Sequence, residues 1–207
     1  MAGTRSTGRS CRAWRWRNRR AGREHWQVVS RGPKSGIFVI APIGGEVGAR
    51  IAALQGTHDP RILKLGEPHV TVAGSSGMGP INPGTTVAEL EEKLGVIAVE
   101  TAPITLRFGR PTKFMQTEIV VLPLDPHGPL RTLHERIQLS GLRSAPPRFF
   151  FTPHVTLSLY RELPKEALNV LLRERFDEPV VVDRIEAHLT QDTGESRLLV
   201  SLPLLGR

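Results

Sequence analysis

From Gly36 onward the apolar positions switch repeatedly between two spacings, and the switches divide the chain into short elements. A continuous apolar run at 38–43 predicts a buried strand, and Val47, Ile51 and Leu54 fall at i, i+4 and i+7, the spacing of a helix packed by one face. Alternating positions at 69–72 predict a second strand, which runs into a loop at 74–84 rich in Gly and Pro. Thr86 followed three positions later by Glu89 reads as a capping box opening a helix to about Ala98. Strands are predicted near 104–108 and 118–124, then a helix near 128–139 with Leu130, Leu133 and Ile137 on one face. A strand at 154–157 precedes a helix near 165–176 carrying Leu168, Leu171 and Leu172, and strands near 180–189 and 197–204 end the chain. This irregular order predicts an α+β domain rather than regular βαβ winding.

Two of the predicted strands carry the same tetrapeptide, Pro68-His69-Val70-Thr71 and Pro153-His154-Val155-Thr156. Side chains alternate faces along a strand, so His69 and Thr71 share one face and His154 and Thr156 another, with the valines behind. If the strands adjoin, two imidazoles and two hydroxyls converge. A phosphodiester suits such a set: a neutral imidazole takes a proton from the attacking oxygen, a protonated one supplies the leaving oxygen, and hydroxyls hold the phosphoryl oxygens. This chemistry requires no metal or cofactor. Taken singly, a strand His is more often hydrogen-bonded to backbone, and a Thr two positions on is ordinary β composition; the matched pair favours the catalytic reading. Zinc binding is disfavoured because no third ligand stands at metal-site spacing.

Composition narrows the class. The 207 residues, 39% of them apolar, suffice for one sizeable core. A single Cys, Cys11, excludes an internal disulfide framework, and no apolar stretch approaches membrane-spanning length, so a cytoplasmic, membrane-free monomer is expected. The formal charge of +8 is unevenly placed: residues 1–34 hold ten of the 28 basic residues and one acid, Glu24, so the rest has 18 basic and 19 acidic residues. Trp14, Trp16 and Trp26 lie there too. An Arg- and Trp-rich segment could stack on single-stranded RNA, but the favoured expectation is a disordered basic tail over 1–35, or sequence read from a start placed too far upstream, ahead of a folded domain at 36–207.

Further candidates lie near the proposed cleft. Arg110, Lys113 and Phe114, between two strands, could supply phosphate contact and base stacking, as could Arg148 with Phe149, Phe150 and Phe151; Tyr160 and Arg161 end the second motif strand. The glycines of 74–84 lack the Gly-Lys-Ser/Thr ending of a phosphate-binding loop. His25, His58, His127, His134 and His188 are read as structural.

With the paired motifs His69-Val70-Thr71-Val72 and His154-Val155-Thr156-Leu157, an opening strand and helix, and Asp59-Pro60-Arg61 before the first motif, residues 36–207 resemble the two-histidine (2H) phosphoesterases, in their 2′-5′ RNA ligase/RNA cyclic phosphodiesterase branch. The resemblance implies a bilobal α+β fold with pseudo-twofold symmetry, two antiparallel or mixed sheets flanking a cleft, and helices outside. It implies hydrolysis of RNA 2′,3′-cyclic phosphate ends, or of a small cyclic nucleotide, to 2′-phosphates without ATP, with 2′-5′ ligation as the reverse. By the resemblance His69 would be the acid and His154 the base for hydrolysis, the roles exchanging with reaction direction; Thr71, Thr156, Arg110, Phe114 and Arg148 are the residues expected to bind substrate. Both imidazoles are expected near the ordinary value of about 6.5. The competing reading is a catalytically silent nucleotide- or RNA-binding module that keeps the cleft.

Overall fold

The computed structural model describes residues 35–74, 76–114, 119–159, 163–191 and 196–207. The predicted basic tail lies outside them apart from Ser35, as do Tyr160 and Arg161.

Seven strands form one sheet in the order β4-β5-β6-β2-β1-β8-β9: β4 (Thr112–Lys113), β5 (Val120–Pro123), β6 (His154–Ser158), β2 (His69–Ala73), β1 (Gly36–Pro42), β8 (Arg184–Thr190) and β9 (Ser196–Pro203). All its pairings are antiparallel. A separate ribbon joins β3 (Ile104–Leu106) to β7 (Val180–Val182). Among the described residues four α-helices accompany them, α1 (Gly45–His58), α2 (Val87–Glu100), α3 (Pro129–Gln138) and α4 (Lys165–Arg173), with a 3-10 turn at Ile62–Leu65. Thr86 caps α2 as the capping pattern requires, its Oγ1 accepting the Glu89 N–H at 3.2 Å.

The large sheet is two half-sheets joined at one register pair, Val70 with Val155. The halves repeat each other in detail. Pro42 pairs with His69 in one and Pro123 with His154 in the other; each register slips once, between Val39 and Ile40 and between Val120 and Val121. Beyond the prolines, the Ile43 N–H donates to Pro68 O (2.7 Å) and the Leu124 N–H to Pro153 O (3.0 Å). The helices cross over between halves. In α1, which links β1 to β2, Gln55 Nε2 donates to Thr156 O on β6 (2.8 Å). In α3, between β5 and β6, His134 Nδ1–H donates to Val72 O on β2 (2.7 Å). Each half thus anchors the motif strand of the other.

The core fills the sheet face turned away from the histidines, where Val70, Val72, Val155 and Leu157 are fully buried among Ile51, Leu90, Leu94, Leu133, Ile137 and Ile185. The strand predicted at 180–189 proves to be two. It divides at Asp183, because β7 pairs with β3 while β8 pairs with β1. Helix α4 ends at Arg173, short of the predicted 176, and the two-residue β4 carries no sequence pattern of its own. The glycine-rich loop is used for packing: Gly77 N–H donates to Phe149 O (2.7 Å), Asn82 N–H to Arg143 O (2.8 Å), and Ile81 exchanges two 2.9 Å bonds with Ile37. At Gly77, with φ +69°, a Cβ would run into the His134 ring.

Candidate active site

The register sets the arrangement of the two motifs. With Val70 opposite Val155 in an antiparallel pair, His69 faces Thr156 across the strands and Thr71 faces His154. Each imidazole therefore sits beside a hydroxyl of the other motif, and the two imidazoles lie on a diagonal between residues that in such a pair stand about 7–8 Å apart, their Cβ atoms somewhat closer. All four side chains are partly buried and line a cleft of about 350 Å³, with Phe38 and Ile40 of β1 also in its wall. A larger depression of about 580 Å³ beside the start of α1 holds Glu46, Arg50, Asp183 and Arg184 but no imidazole.

Local backbone fixes the tautomers. His69 Nδ1 lies 2.7 Å from Glu67 O and His154 Nδ1 2.7 Å from Thr152 O. A carbonyl only accepts, so Nδ1 carries the hydrogen in both rings, and in the neutral form Nε2 is left with its lone pair for the cleft. Burial pushes both imidazoles below their usual value of 6.5, and the two carbonyl bonds oppose the shift in part. This revises the expectation of ordinary values. The surroundings differ: charged groups, His188 and Glu186, act on His69, whereas the Phe114 ring packs against His154 with 5.0 Å between centroids.

Of the other candidates, Phe114 and Arg148 line a further depression of about 570 Å³ with Phe149, Phe150 and Thr152, and Phe114 also packs on His154 of the cleft. The phenylalanine run divides: Phe149 is 51% and Phe150 94% exposed, while Phe151 is buried and stacks on His134 at 4.0 Å. Arg110 is exposed before β4 and lines neither cavity. Asp59 is fully buried and ties the end of α1 to the end of β6, accepting from Arg61 Nε (2.8 Å) and from the Leu159 N–H (2.8 Å).

Four polar cleft residues, Gln55, His188, Thr190 and Ser196, are not among the sequence candidates. Gln55, 1% exposed, lines the cleft, and its Oε1 has no partner; within a helix pattern it carries no distinguishing signal. His188, structural on the sequence reading, lines the cleft together with Thr190 and Ser196. A signal for it exists: His188-Leu189-Thr190 is a third His-x-Thr, so three of the seven histidines have threonine two positions on. Among the described residues no three His, Cys, Asp or Glu side chains gather as a metal-holding group, and no helix is long and apolar enough to cross a membrane.

The sequence profile of the 2′-5′ RNA ligase superfamily matches residues 44–194, a span that takes in both motifs. The chain belongs to that superfamily, among the 2H phosphoesterases. A Geobacillus kaustophilus protein provisionally named a phosphoesterase is 35% identical over 79 residues, 38% of this chain and 44% of the relative, so the chain covers under half of that relative's length. Among solved structures, TT0787 of Thermus thermophilus shares the fold with a TM-score of 0.57, at 18% identity over 83% of this chain and 98% of that one. E. coli LigT complexed with 3′-AMP does so with a TM-score of 0.51, at 20% identity over 82% and 98%. The superfamily fold is the α+β, antiparallel architecture described above.

Proposed function

We propose that the cleft hydrolyses 2′,3′-cyclic phosphate ends of RNA to 2′-phosphates, without metal or ATP, and that it joins a 2′-5′ linkage when the 5′ hydroxyl of a second RNA attacks in place of water, the 3′ oxygen again leaving. The observation that carries this is the pair of imidazoles whose Nδ1–H is spent on a carbonyl and whose Nε2 is left for proton transfer, each beside a threonine hydroxyl. E. coli LigT, which shares the fold, forms a complex with a nucleotide, 3′-AMP.

In hydrolysis His154 Nε2 takes a proton from water as its oxygen attacks phosphorus. The bond from phosphorus to the 3′ oxygen breaks, and protonated His69 delivers its Nε2 proton to that oxygen. Thr71 and Thr156 donate to the non-bridging oxygens as charge builds on them. The turn ends with His154 protonated and His69 neutral, and exchange with solvent restores the starting state. Phe114 and Arg148, with Phe149 and Phe150, offer a ring surface and a cation for a base on the His154 side of the cleft.

The test is a short RNA with a cyclic phosphate end, assayed in EDTA. His69→Ala and His154→Ala should each lower kcat about 10²- to 10⁴-fold, and Thr71→Val or Thr156→Val should cost less, since each removes one hydrogen bond. An unchanged rate in either histidine variant removes the mechanism. Tight RNA binding without turnover by the unaltered protein would favour the silent-module reading instead.

A further inference from the structure

The third His-x-Thr segment lies on β8, which is separated from β2 by β1 alone, so its strand runs about 10 Å from the one bearing His69. His188 and Thr190 occupy alternate positions of β8, as the motif residues do on β2 and β6, and both face the same cleft. Ser196 joins them from β9, where it pairs with Thr190. The cleft floor thus carries a second imidazole–hydroxyl set beyond the reacting pair, which the mechanism above leaves without a role.

The hydrogen bonds of His188 set what it can offer. Nε2 is 2.9 Å from Glu186 Oε2, a carboxylate that only accepts, so Nε2 carries a hydrogen. Glu186 Oε1 accepts from Arg184 Nε at 2.8 Å, so a cation also meets the carboxylate charge. Nδ1 is 3.2 Å from Ser196 Oγ, a group able either to donate or to accept. With Nε2–H on Glu186 and Ser196 Oγ at Nδ1, an anion arriving there meets the hydroxyls of Ser196 and Thr190, the first positioned by the imidazole.

We propose that His188, Thr190 and Ser196 form a second phosphoryl subsite, and that the preferred substrate is a ribose bearing its cyclic phosphate at the His69–His154 pair and a further phosphoryl group on its 5′ oxygen. The position of the cyclic group rests on the reading above; the subsite itself does not require turnover. A substrate joined through its 5′ oxygen to a preceding phosphate meets the requirement, and a nucleoside cyclic phosphate with a free 5′ hydroxyl does not.

Binding and turnover test this separately. Calorimetry on the full-length protein would compare adenosine 3′,5′-bisphosphate with 3′-AMP, and kinetics would compare adenosine 2′,3′-cyclic phosphate with and without a 5′-phosphate. The added phosphate should tighten binding about tenfold and raise kcat/KM chiefly through KM. In His188→Gln the advantage should shrink to about twofold or less, and Thr190→Val, which keeps the β-branched shape, should reduce it partway. Equal affinity of the unaltered protein for the two ligands, or an advantage retained in folded His188→Gln, overturns the subsite. A binding preference without turnover upholds the subsite and removes the catalytic reading; turnover without preference does the reverse.

Discussion

Replacing Asp59 tests whether one buried carboxylate holds α1 to the end of the second motif strand. The side chain is fully buried, and it accepts Arg61 Nε (2.8 Å) and Nη2 (3.2 Å), the Leu159 N–H (2.8 Å) and, at 3.5 Å, Ser158 Oγ. Burial would raise its pKa, yet the Arg61 ion pair and the Leu159 N–H outweigh it and hold the carboxyl below its usual 3.8. Asp59→Ala removes the charged acceptor of the Leu159 N–H, about 1.5–3 kcal/mol. The lost pairing with Arg61, whose side chain is 55% exposed, adds at most about 1 kcal/mol. The expected loss is about 2–4 kcal/mol, or roughly 5–12 °C in Tm for a chain of this size. Asp59→Asn keeps one acceptor for Leu159 and should lose about half as much. The sign with pH follows from the lowered value: the carboxylate's contribution is present above 3.8 and is lost as pH falls through the folded-state pKa, so the gap to Asp59→Asn should be flat between about pH 5 and 8. Urea unfolding at several pH values measures all of this. A stability of Asp59→Ala within about 0.5 kcal/mol of the unaltered protein would refute the clamp.

Two further outcomes follow from the lowered imidazole values. Because hydrolysis needs one ring protonated, the kcat/KM profile, which reports the free enzyme, should peak below pH 6.5 and decline toward pH 8; a maximum above 7 contradicts the assignment. For stability, a histidine with a depressed folded pKa takes up its proton more readily when unfolded. His69, His134 and His154 should therefore all withdraw stability as pH drops below 6.5 toward their folded values, measurable as a falling Tm over that interval.

The paired motifs were legible because a strand's period of two forces His and Thr onto one face, and because core strands show their buried valines as an alternating pattern. The helix cap at Thr86 and the helical face of α3 were legible for the same reason: each is local. The pseudo-twofold was readable in more than the tetrapeptides. The stretches 38–43 and 119–124 both end in Pro followed by Ile or Leu, and these are the prolines that pair with the two histidines. What could not be read was set by long-range pairing. The break at Asp183 depends on which strand each side finds, and Gln55 is buried because α1 lies against the opposite half's strand. His188 is hidden for a different reason. Its third His-x-Thr has a polar residue, Gln191, in the last position, so it lacks the apolar pattern that makes the other two conspicuous.

The repeat and its departure from symmetry bear on different parts of the reaction. The crossed anchors, Gln55 to Thr156 and His134 to Val72, tie each motif strand to a helix of the opposite half, so the diagonal between the imidazoles is a property of the whole domain. That symmetric part suits a reaction in which acid and base exchange roles with direction. A defined direction needs the two imidazoles to differ, and the sheet supplies the difference at its ends: two full strands, β8 and β9, extend the first half, and the two-residue β4 extends the second. Glu186 favours a proton on His69, and a charge on His188 opposes it. Burial, the largest influence, lowers the pKa of both rings. An anion held at the proposed subsite would offset the opposition of His188, in the sense that the proposed roles of His69 as acid and His154 as base require. Among the described residues no carboxylate acts on His154 in this way. Occupation of the far subsite would then align the catalytic pair for hydrolysis, linking the length of the substrate to the direction of proton transfer.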